Sequence, residues 1–316
     1  MAYTQTNSPS TTNTIGLSEV MTGELDKAIV QQAVTGVFAD NQLKAKFMGN
    51  GIVILDEIDM SGLGDYDRDD GFVLGSVTNN KRPYQLTKER GRSFQIDAQD
   101  ADESGIGDLA GKVMSEFVRT KVVPEIDAYC LSKLAGVATA NGHADTTYSA
   151  NGILADLMAA QNGVFDACGY ESEDVICFVN PTVWAALQST TEITRRLEII
   201  DFKKGELLTK VKALNGMPLL PVSSARMKTA YTFNDGTTDG QTAGGFTPAS
   251  GAKEIGFLML PKRSASLVKK TEKTRIFSPD QNQTKDAWKL DYRLYYDIFV
   301  KNSLKNTIFA QTYTAS

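Results

Sequence analysis

Histidine and cysteine are scarce in this chain of 316 residues, which has one histidine and three cysteines. Cys130, Cys168 and Cys177 do not have the spacing of metal ligands, and His143 alone cannot complete a Cys/His zinc site. A catalytic serine or cysteine needs a neighbouring base, and the sequence has neither a G-x-S-x-G motif nor another local nucleophile signature. We therefore expect no enzymatic activity, no catalytic residue, no metal and no cofactor.

Long apolar runs and an excess of basic residues are also missing. No run approaches the ~18 residues that a membrane-spanning helix needs, and the polar N-terminus MAYTQTNSPSTTNT lacks the pattern of a signal peptide. With 33 basic and 38 acidic side chains the net charge is −5, which argues against nucleic-acid binding through a broad basic surface. These features predict a soluble protein that is made in the cytoplasm and has no membrane partner.

Two charged clusters permit a second interpretation. Asp65, Asp67 and Asp69 alternate like the first ligands of a calcium loop, but Asp70 stands where glycine is needed and Ser76 where glutamate is needed. A solvated turn is the preferred interpretation, and calcium binding is the alternative. The second cluster is basic and predicts a solvated strand face or a subunit contact, with nucleic-acid contact as the alternative; it comprises Lys269, Lys270, Lys273 and Arg275.

The longest helical pattern covers residues 103–137. Its apolar residues recur at steps of three to five and define one face: Ile106, Leu109, Val113, Phe117, Val122, Ile126, Cys130, Leu134 and Val137. At ~1.5 Å per residue such a helix would reach ~50 Å, so we predict that it forms the spine of the fold. Pro124 removes a backbone donor and predicts a bend near Thr120. Two shorter helices broken at Pro124 are the alternative.

The remaining periodicities predict an α+β fold. Helices are predicted at residues 17–47, 151–167, 182–188 and 204–214, and strands at residues 52–58, 72–78, 84–87, 93–96, 175–179, 217–222, 255–260, 264–274 and 288–299. Residues 175–179 are all apolar, which is typical of a buried central strand. Asn180 and Pro181 are suited to cap and begin the next helix.

Residues 49–97 carry few large apolar side chains. Between Asn79 and Arg92 only Tyr84 and Leu86 could bury much surface, and the Asn-Asn-Lys-Arg-Pro stretch at 79–83 predicts a turn. A two-stranded ribbon is marginally stable by itself in water. We therefore predict that this hairpin is an extended arm that lies on a neighbouring subunit.

The order of these parts resembles the major capsid protein family of tailed bacteriophages, whose fold is named after phage Hong Kong 97. The resemblance covers nearly the whole chain after residue 15 and is carried by residues 71–104, 122–135 (VVPEIDAYCLSKLA), 179–188 (VNPTVWAALQ), 215–227 (NGMPLLPVSSARM) and 291–309. It implies an N-terminal arm (1–48), an extended hairpin or E-loop (49–97), a P-domain (98–140 and 253–316) with the spine helix, and an A-domain (141–252).

The resemblance also implies a function. The chain would self-assemble as pentamers and hexamers, in the cytoplasm of a host bacterium, into an icosahedral shell that encloses double-stranded DNA without sequence-specific binding. A portal and a decoration protein would be further partners, and the short arm before Gly49 implies a separate scaffolding protein. On the E-loop, contacts between subunits would be made by Lys81, Arg82, Lys88 and Arg90. The core of the spine helix would comprise Leu109, Val113, Phe117, Ile126 and Leu134.

Other functions remain as alternatives. An encapsulin-type nanocompartment shares the fold, and a stand-alone binding module is a third class. An autocatalytic crosslink would join Lys81 or Lys88 of the E-loop to an asparagine such as Asn282 on a neighbouring subunit.

Overall fold

A computed structural model describes residues 33–39, 46–48, 51–99, 109–149, 151–168, 174–189, 197–204 and 207–314. The helices are α1 (Leu109–Phe117), α2 (Val123–Ala140), α3 (Ile153–Cys168) and α4 (Pro181–Ser189). The strands are β1 (Lys46–Met48), β2 (Ile52–Met60), β3 (Val77–Gln85), β4 (Lys88–Asp97), β5 (Ala144–Asp145), β6 (Val175–Val179), β7 (Leu197–Lys204), β8 (Leu207–Leu214), β9 (Met217–Pro221), β10 (Tyr231–Phe233), β11 (Phe246–Pro248), β12 (Glu254–Pro261), β13 (Ala265–Phe277), β14 (Ala287–Val300) and β15 (Phe309–Tyr313). The predicted α+β class is confirmed.

The spine helix is continuous. Helices α1 and α2 are joined by a π-helical segment, Val118–Val122, and the residues on either side of it keep helical dihedral angles. Pro124 has no N–H to donate to the carbonyl of Thr120, and π turns are one way in which a helix absorbs such a lost bond. The helix is therefore irregular around Thr120, where a bend was predicted; the bend itself stays a prediction, and the alternative of two separate helices is wrong. We call α1, the π segment and α2 together the spine helix. Within the described ranges, no helix is long and apolar enough to cross a membrane.

A seven-stranded sheet separates two hydrophobic cores. Its strand order is β5-β15-β12-β6-β9-β8-β7, and β6 pairs with β12 on one side and β9 on the other. Ile176 and Phe178 of β6 pack in a core with the spine helix, whereas the alternate residues Val175, Cys177 and Val179 pack with α3 and α4. All five side chains are buried, which confirms the predicted central strand. The cap is also confirmed, because the Val183 N–H donates to Asn180 Oδ1 (2.8 Å) and α4 begins at Pro181.

A second sheet, of order β13-β14-β4, covers another side of the spine helix. Alternate residues of β14, Leu290, Tyr292, Leu294 and Tyr296, belong to the core that contains the spine helix. Strand β4 pairs with β14 along its whole length, from Lys88 opposite Tyr296 to Asp97 opposite Ala287. The last strand of the predicted extended hairpin is therefore built into the sheet of its own subunit.

Two predicted elements are wrong, and in each case the positions of turn-forming residues give the reason. Residues 204–214 were expected to be helical, but Lys204 is the last residue of β7 and residues 207–214 form β8, while residues 205–206 lie outside the described ranges. Asn215 (φ 51°) and Gly216 (φ 79°) then make the hairpin turn into β9. Residues 79–83 were expected to be a turn, but they lie inside β3, where Pro83 pairs with Ile54 of β2. Because β3 is an edge strand, the missing N–H of Pro83 leaves no carbonyl unpaired.

The predicted helix at 17–47 falls mostly outside the described residues. Where the structure describes this stretch, it contains a 3-10 helix, Val34–Phe38, and the strand β1, so the prediction is wrong for these parts. Phe38 is fully buried against Phe178 of the central sheet, with 5.9 Å between the ring centroids. The end of the predicted arm is thus part of the main core.

Two substitutions on the spine helix should change stability in opposite directions. Leu134→Ala should lower the free energy of unfolding by ~2–5 kcal/mol, because Leu134 is fully buried in the main core. Gly136→Ala should raise it by ~0.5–1 kcal/mol, because Gly136 lies in a helix and a Cβ there would meet no atom within 4 Å. Urea denaturation of both variants measures the two changes, and equal effects would contradict the described packing.

Candidate functional site

Strands β2 and β3 form a ribbon that buries little of its own surface. They pair antiparallel from Ile52 opposite Gln85 to Met60 opposite Val77, and residues 61–76 connect them. Every side chain of β3 except Tyr84 is exposed. Nine residues of strand span ~30 Å, so the connecting residues lie far from the place where the ribbon joins the rest of the chain. We call residues 61–76 the tip and residues 51–53 and 84–87 the root.

The far end of the ribbon exposes an unusual amount of apolar surface. Ten large hydrophobic side chains of the described residues are exposed, and eight of them lie between residues 58 and 77. They are Ile58, Met60, Leu63, Tyr66, Phe72, Val73, Leu74 and Val77. Leu63, Phe72 and Leu74 are 87% exposed or more. Concentrated exposed apolar surface marks an interaction site, because scattered single residues are the normal condition of a surface.

The tip is acidic as well as apolar. It has four aspartates against one arginine, Arg68. Asp67 Oδ1 accepts the N–H groups of Asp69 (2.8 Å) and Asp70 (3.4 Å), which fixes a local turn. Among the described residues there is no group of three or more histidine, cysteine or acidic side chains that could hold a metal ion. The geometry is that of a solvated turn, with Tyr66 and Phe72 in edge-to-face contact beside it (centroids 4.8 Å apart).

The root is held by a small hydrophobic core. Val53, Leu86, Val268 and Phe299 are buried together, and Tyr84 and Tyr295 pack around them. Tyr295 donates its hydroxyl to the carbonyl of Leu86 (3.0 Å). Gly51, at φ +74°, lies so close that a Cβ would be 2.2 Å from the Tyr295 hydroxyl oxygen. The ribbon is therefore anchored to β13 and β14 at one end and exposed at the other.

A buried carboxylate ties the root to the spine helix. Asp297 of β14 accepts hydrogen bonds from the Thr87 N–H (3.0 Å), the Thr87 hydroxyl (2.9 Å) and the Tyr129 hydroxyl (2.8 Å), and it pairs with Lys133 Nζ (2.5 Å). Burial raises the pKa of Tyr129, so its hydroxyl stays protonated and remains a donor. The side chain of Asp297 thus connects three parts of the fold: β14, the residue that precedes β4, and the spine helix.

Two arginines of β4 hold a glycine-rich loop, residues 234–245, between β10 and β11. Arg90 Nε donates to Glu125 of the spine helix (2.6 Å), and its other nitrogens donate to the carbonyls of Asn234 (2.8 Å) and Gly245 (3.2 Å). Arg92 donates from both terminal nitrogens to the Thr242 carbonyl (3.3 Å). These bonds fix the loop over β4 and the spine helix.

The four predicted contact residues of the hairpin fall into two groups. Lys81 and Arg82 are exposed on β3. Arg90 is engaged as described, and Lys88 Nζ lies 4.0 Å from the ring centroid of Phe233. Burial, followed by repulsion from Arg90, lowers the pKa of Lys88. Lys88 and Arg90 therefore bind their own subunit, and a contact of any of the four with a neighbouring subunit stays a prediction.

The predicted core positions of the spine helix also differ among themselves. Ile126 and Leu134 are fully buried, Val113 and Phe117 are partly buried at the edge of the same core, and the side chain of Leu109 lies outside the described residues. Sequence reasoning missed several fully buried positions of the spine helix, and Met114 and Val118 are two of them. Both are apolar and form a run with Val122 and Ile126 at steps of four, so the signal was present in the sequence.

A second buried carboxylate, which the sequence did not predict, joins the described part of the N-terminal arm to the spine helix. Asp127 Oδ1 accepts the Thr35 N–H (2.9 Å) and hydroxyl (2.7 Å), and Oδ2 accepts the Val34 N–H (3.1 Å). Arg226 supplies the opposite charge at 3.1 Å. The only signal was a single acidic residue on an otherwise apolar helix face.

Comparisons with known proteins address the fold directly. No protein-family model and no curated protein matches the sequence. A structure of Gordonia phage Cozz matches at a TM-score of 0.55 and 15% identity, over 90% of this chain and 87% of that chain. The mature capsid of bacteriophage PhiM1 matches at a TM-score of 0.53 and 16% identity, over 84% and 83% of the two chains. A virus-like particle from Pyrococcus furiosus matches at a TM-score of 0.53 and 9% identity, over 93% and 99%.

These likenesses extend over most of every chain compared. An α+β arrangement with a long helix and packed sheets is common to them, and the structures matched are mostly those of tailed phages. The protein therefore has the HK97-like fold, which confirms the fold implied by the sequence resemblance.

Removing the carboxylate of Asp297 should weaken the subunit strongly. Asp297→Ala removes an acceptor of the Thr87 N–H and of the Tyr129 hydroxyl, together with the counter-charge of Lys133, so the free energy of unfolding should fall by about 3 kcal/mol or more. Tyr129→Phe removes a single donor and should cost about 1 kcal/mol. Chemical denaturation of both variants gives the comparison, and a near-neutral Asp297→Ala would show that the root is not held there.

Charge reversal should destabilise the subunit at Arg90 but not at Lys81, because only Arg90 is engaged within its own subunit. Arg90→Glu breaks the pair with Glu125 and places two carboxylates together, so it should cost about 1–3 kcal/mol. Lys81→Glu lies on the exposed strand β3 and should change the free energy of unfolding by less than about 0.5 kcal/mol. The midpoints of thermal unfolding of the two purified variants provide the test. Equal midpoints would contradict the placement of Arg90.

Proposed function

We propose that this chain is the major capsid protein of a tailed double-stranded DNA bacteriophage, and that it assembles as pentamers and hexamers into an icosahedral shell around the genome. The observation that carries the proposal is the ribbon, which combines a firmly held root with an exposed apolar tip. An isolated subunit gains nothing from that tip. In a closed symmetric assembly the same tip is buried once in every copy, so one modest contact is repeated over the whole shell.

The proposed division of the chain follows the resemblance: arm 1–48, E-loop 49–97, P-domain 98–140 and 253–316, and A-domain 141–252. Two features of the fold bear on this division. The E-loop region supplies β4 to the sheet of β13 and β14, which belongs to the P-domain. The seven-stranded sheet takes β5 to β9 from the A-domain and β12 and β15 from the P-domain, so one sheet runs through both.

The proposed shell protein needs no chemistry of its own. It would act structurally in the virion after assembly in the host cytoplasm, with a separate scaffolding protein, a portal and a decoration protein as partners. Its net charge of −5 suits a wall that confines DNA without binding a particular sequence. An autocatalytic crosslink to Asn282 would have to start from Lys81, because Lys88 is engaged with Phe233. A monomer band after boiling assembled particles in SDS would exclude that crosslink.

An encapsulin-type nanocompartment is the second candidate. The observation in its favour is the likeness to the Pyrococcus furiosus particle, which is described as virus-like rather than as a phage capsid and is matched over nearly all of its chain. The content of the particle distinguishes the two functions. Double-stranded DNA inside particles purified from the natural source supports the capsid, whereas an enclosed protein cargo without DNA supports the compartment.

Expression of the chain in bacteria, followed by negative-stain microscopy, tests the proposal in its simplest form. Shells, tubes or rings of subunits are the expected result. A protein that remains a small monomer in size-exclusion chromatography under all conditions, with or without crowding agents, would favour a stand-alone binding module and overturn the proposal.

Removing the apolar character of the tip should abolish assembly without unfolding the subunit. The variant Leu63→Ser/Phe72→Ser/Leu74→Ser changes three exposed side chains, so the free energy of unfolding should change by less than about 0.5 kcal/mol per site. Assembly should be lost, as measured by sedimentation and microscopy. The matched control, Leu63→Met/Phe72→Tyr/Leu74→Met, keeps the surface largely apolar and should assemble. Normal shells from the serine variant would remove the main support for the proposal.

A further inference from the structure

A cavity of about 320 Å³ lies between β4, β14, the spine helix and the glycine-rich loop 234–245. Its floor is apolar and includes Phe94, Phe117, Tyr292 and Leu294. The rings of Phe94 and Phe117 meet edge to face at a centroid distance of 4.9 Å, and Phe117 meets Tyr292 in the same way at 5.7 Å. Phe94 and Phe117 are only partly buried, so aromatic surface remains available inside the cavity. Its volume is at the lower end of the range for ligand pockets and suits one or two side chains.

The rim of this cavity is weakly positive, because Arg90, Arg92 and Lys121 stand against Glu125 and Asp235 and leave a net charge of +1. Two of the charges that line it, Arg90 and Glu125, neutralise each other as an ion pair. The Asp235 carboxylate is turned towards its own loop, where the Thr238 hydroxyl and the N–H groups of Thr237 and Thr238 lower its pKa. Arg92 and Lys121 remain, and neither has a carboxylate partner within the described part of the chain. The cavity thus offers an aromatic floor below two unpaired cations.

The tip of the ribbon has the complementary character. It carries a net charge of −3, and each of its two aromatic rings has aspartates next to it: Asp65 and Asp67 flank Tyr66, and Asp70 is two residues from Phe72. The high exposure of the tip shows that it does not occupy the cavity of its own chain. Among the described residues, no segment covers the tip and none fills the cavity, so each copy presents an acidic, aromatic tip and an aromatic cavity with basic side chains at its rim.

We propose that the cavity receives the tip of a second copy of this chain, with the Tyr66–Phe72 pair on the aromatic floor and the flanking aspartates facing Arg92 and Lys121. The inference rests on the proposed function and specifies one contact within the assembly. Burial of the rings supplies most of the attraction. The opposite charges select this partner and register, because like charges in the same place would be repulsive.

A charge-reversal cycle tests the electrostatic part. The tip variant is Asp65→Lys/Asp70→Lys, which spares the turn-forming Asp67, and the rim variant is Lys121→Glu. Each should raise the protein concentration required for assembly at least about tenfold, and mixing or combining the two should restore assembly to within about threefold of wild type. The matched control is Lys112→Glu, an exposed lysine of the spine helix that does not line the cavity; it should assemble normally. Failure of the combined variant to recover, with both single variants folded, would overturn the pairing.

Cysteine pairing tests the contact itself, independently of charge. Cys130 and Cys177 are buried, so a Cys168→Ser background leaves no accessible thiol among the native cysteines. One preparation carries Asp70→Cys, which keeps both aromatic rings of the tip, and a second carries Lys121→Cys. Co-assembly under mild oxidation should give a disulfide-linked dimer on a non-reducing gel, whereas Asp70→Cys with Lys112→Cys should not.

The outcomes separate the inference from the function on which it rests. Assembled particles without the disulfide between the cysteines introduced at positions 70 and 121 would overturn this docking site and leave the shell function standing. A wild-type chain that never associates would overturn both. Equal crosslinking to positions 112 and 121 would show a loose contact and would also contradict the proposed seat in the cavity.

Discussion

The carboxylate of Asp297 is the interaction on which the rest of the structure depends. It is fully buried, and an ionised group in such a place is tolerated only when charge and hydrogen bonds compensate for the lost water. Lys133 supplies the charge, and Thr87 and Tyr129 supply the hydrogen bonds. Because these partners come from the spine helix and from the start of β4, the sheet, the helix and the root of the ribbon can adopt only one mutual arrangement without leaving a buried polar group unsatisfied.

The arrangement divides stability unequally along the chain. Two large cores on either side of the central sheet, and a small one at the root, contain nearly all of the buried apolar residues. The ribbon beyond the root contains almost none of them. Such a division is a disadvantage for an isolated globular protein, whose exposed apolar surface promotes aggregation. It suits a subunit that completes its burial only after it meets other copies.

The sequence revealed those elements whose burial leaves a regular pattern. The spine helix, β6 and β14 have long apolar periodicities, and Pro124 marked the place of the π segment. The exposed elements could not be located in the same way. Nothing in residues 79–83 separates a turn from an exposed edge strand, and the true connection uses the glycines and aspartates of residues 61–76.

The polar part of the site was harder still to predict. In the sequence, nothing distinguishes Asp127 and Asp297 from exposed acidic residues. Only the fold shows that they are buried and that they accept hydrogen bonds from residues 92 and 210 positions away. Arg90 and Lys88 illustrate the reverse error. They looked like exposed charges of an arm, yet β4 belongs to a sheet. Its register brings Arg90 to the spine helix and the glycine-rich loop, and Lys88 to the rings of Tyr129 and Phe233. Long-range pairing of this kind leaves no trace in a local pattern.

The full pairing of β4 has a mechanical consequence. The ribbon is held only at its root, so any force applied to its tip must pass through the root into β4. That strand pairs with β14 over all ten of its residues, so tension along its axis is shared as shear by all the hydrogen bonds of the ladder rather than breaking one bond after another. In a shell of such subunits, pressure from inside would pull on the contacts between copies. β4 would transmit that force into the sheet of each subunit, where the ladder with β14 resists it.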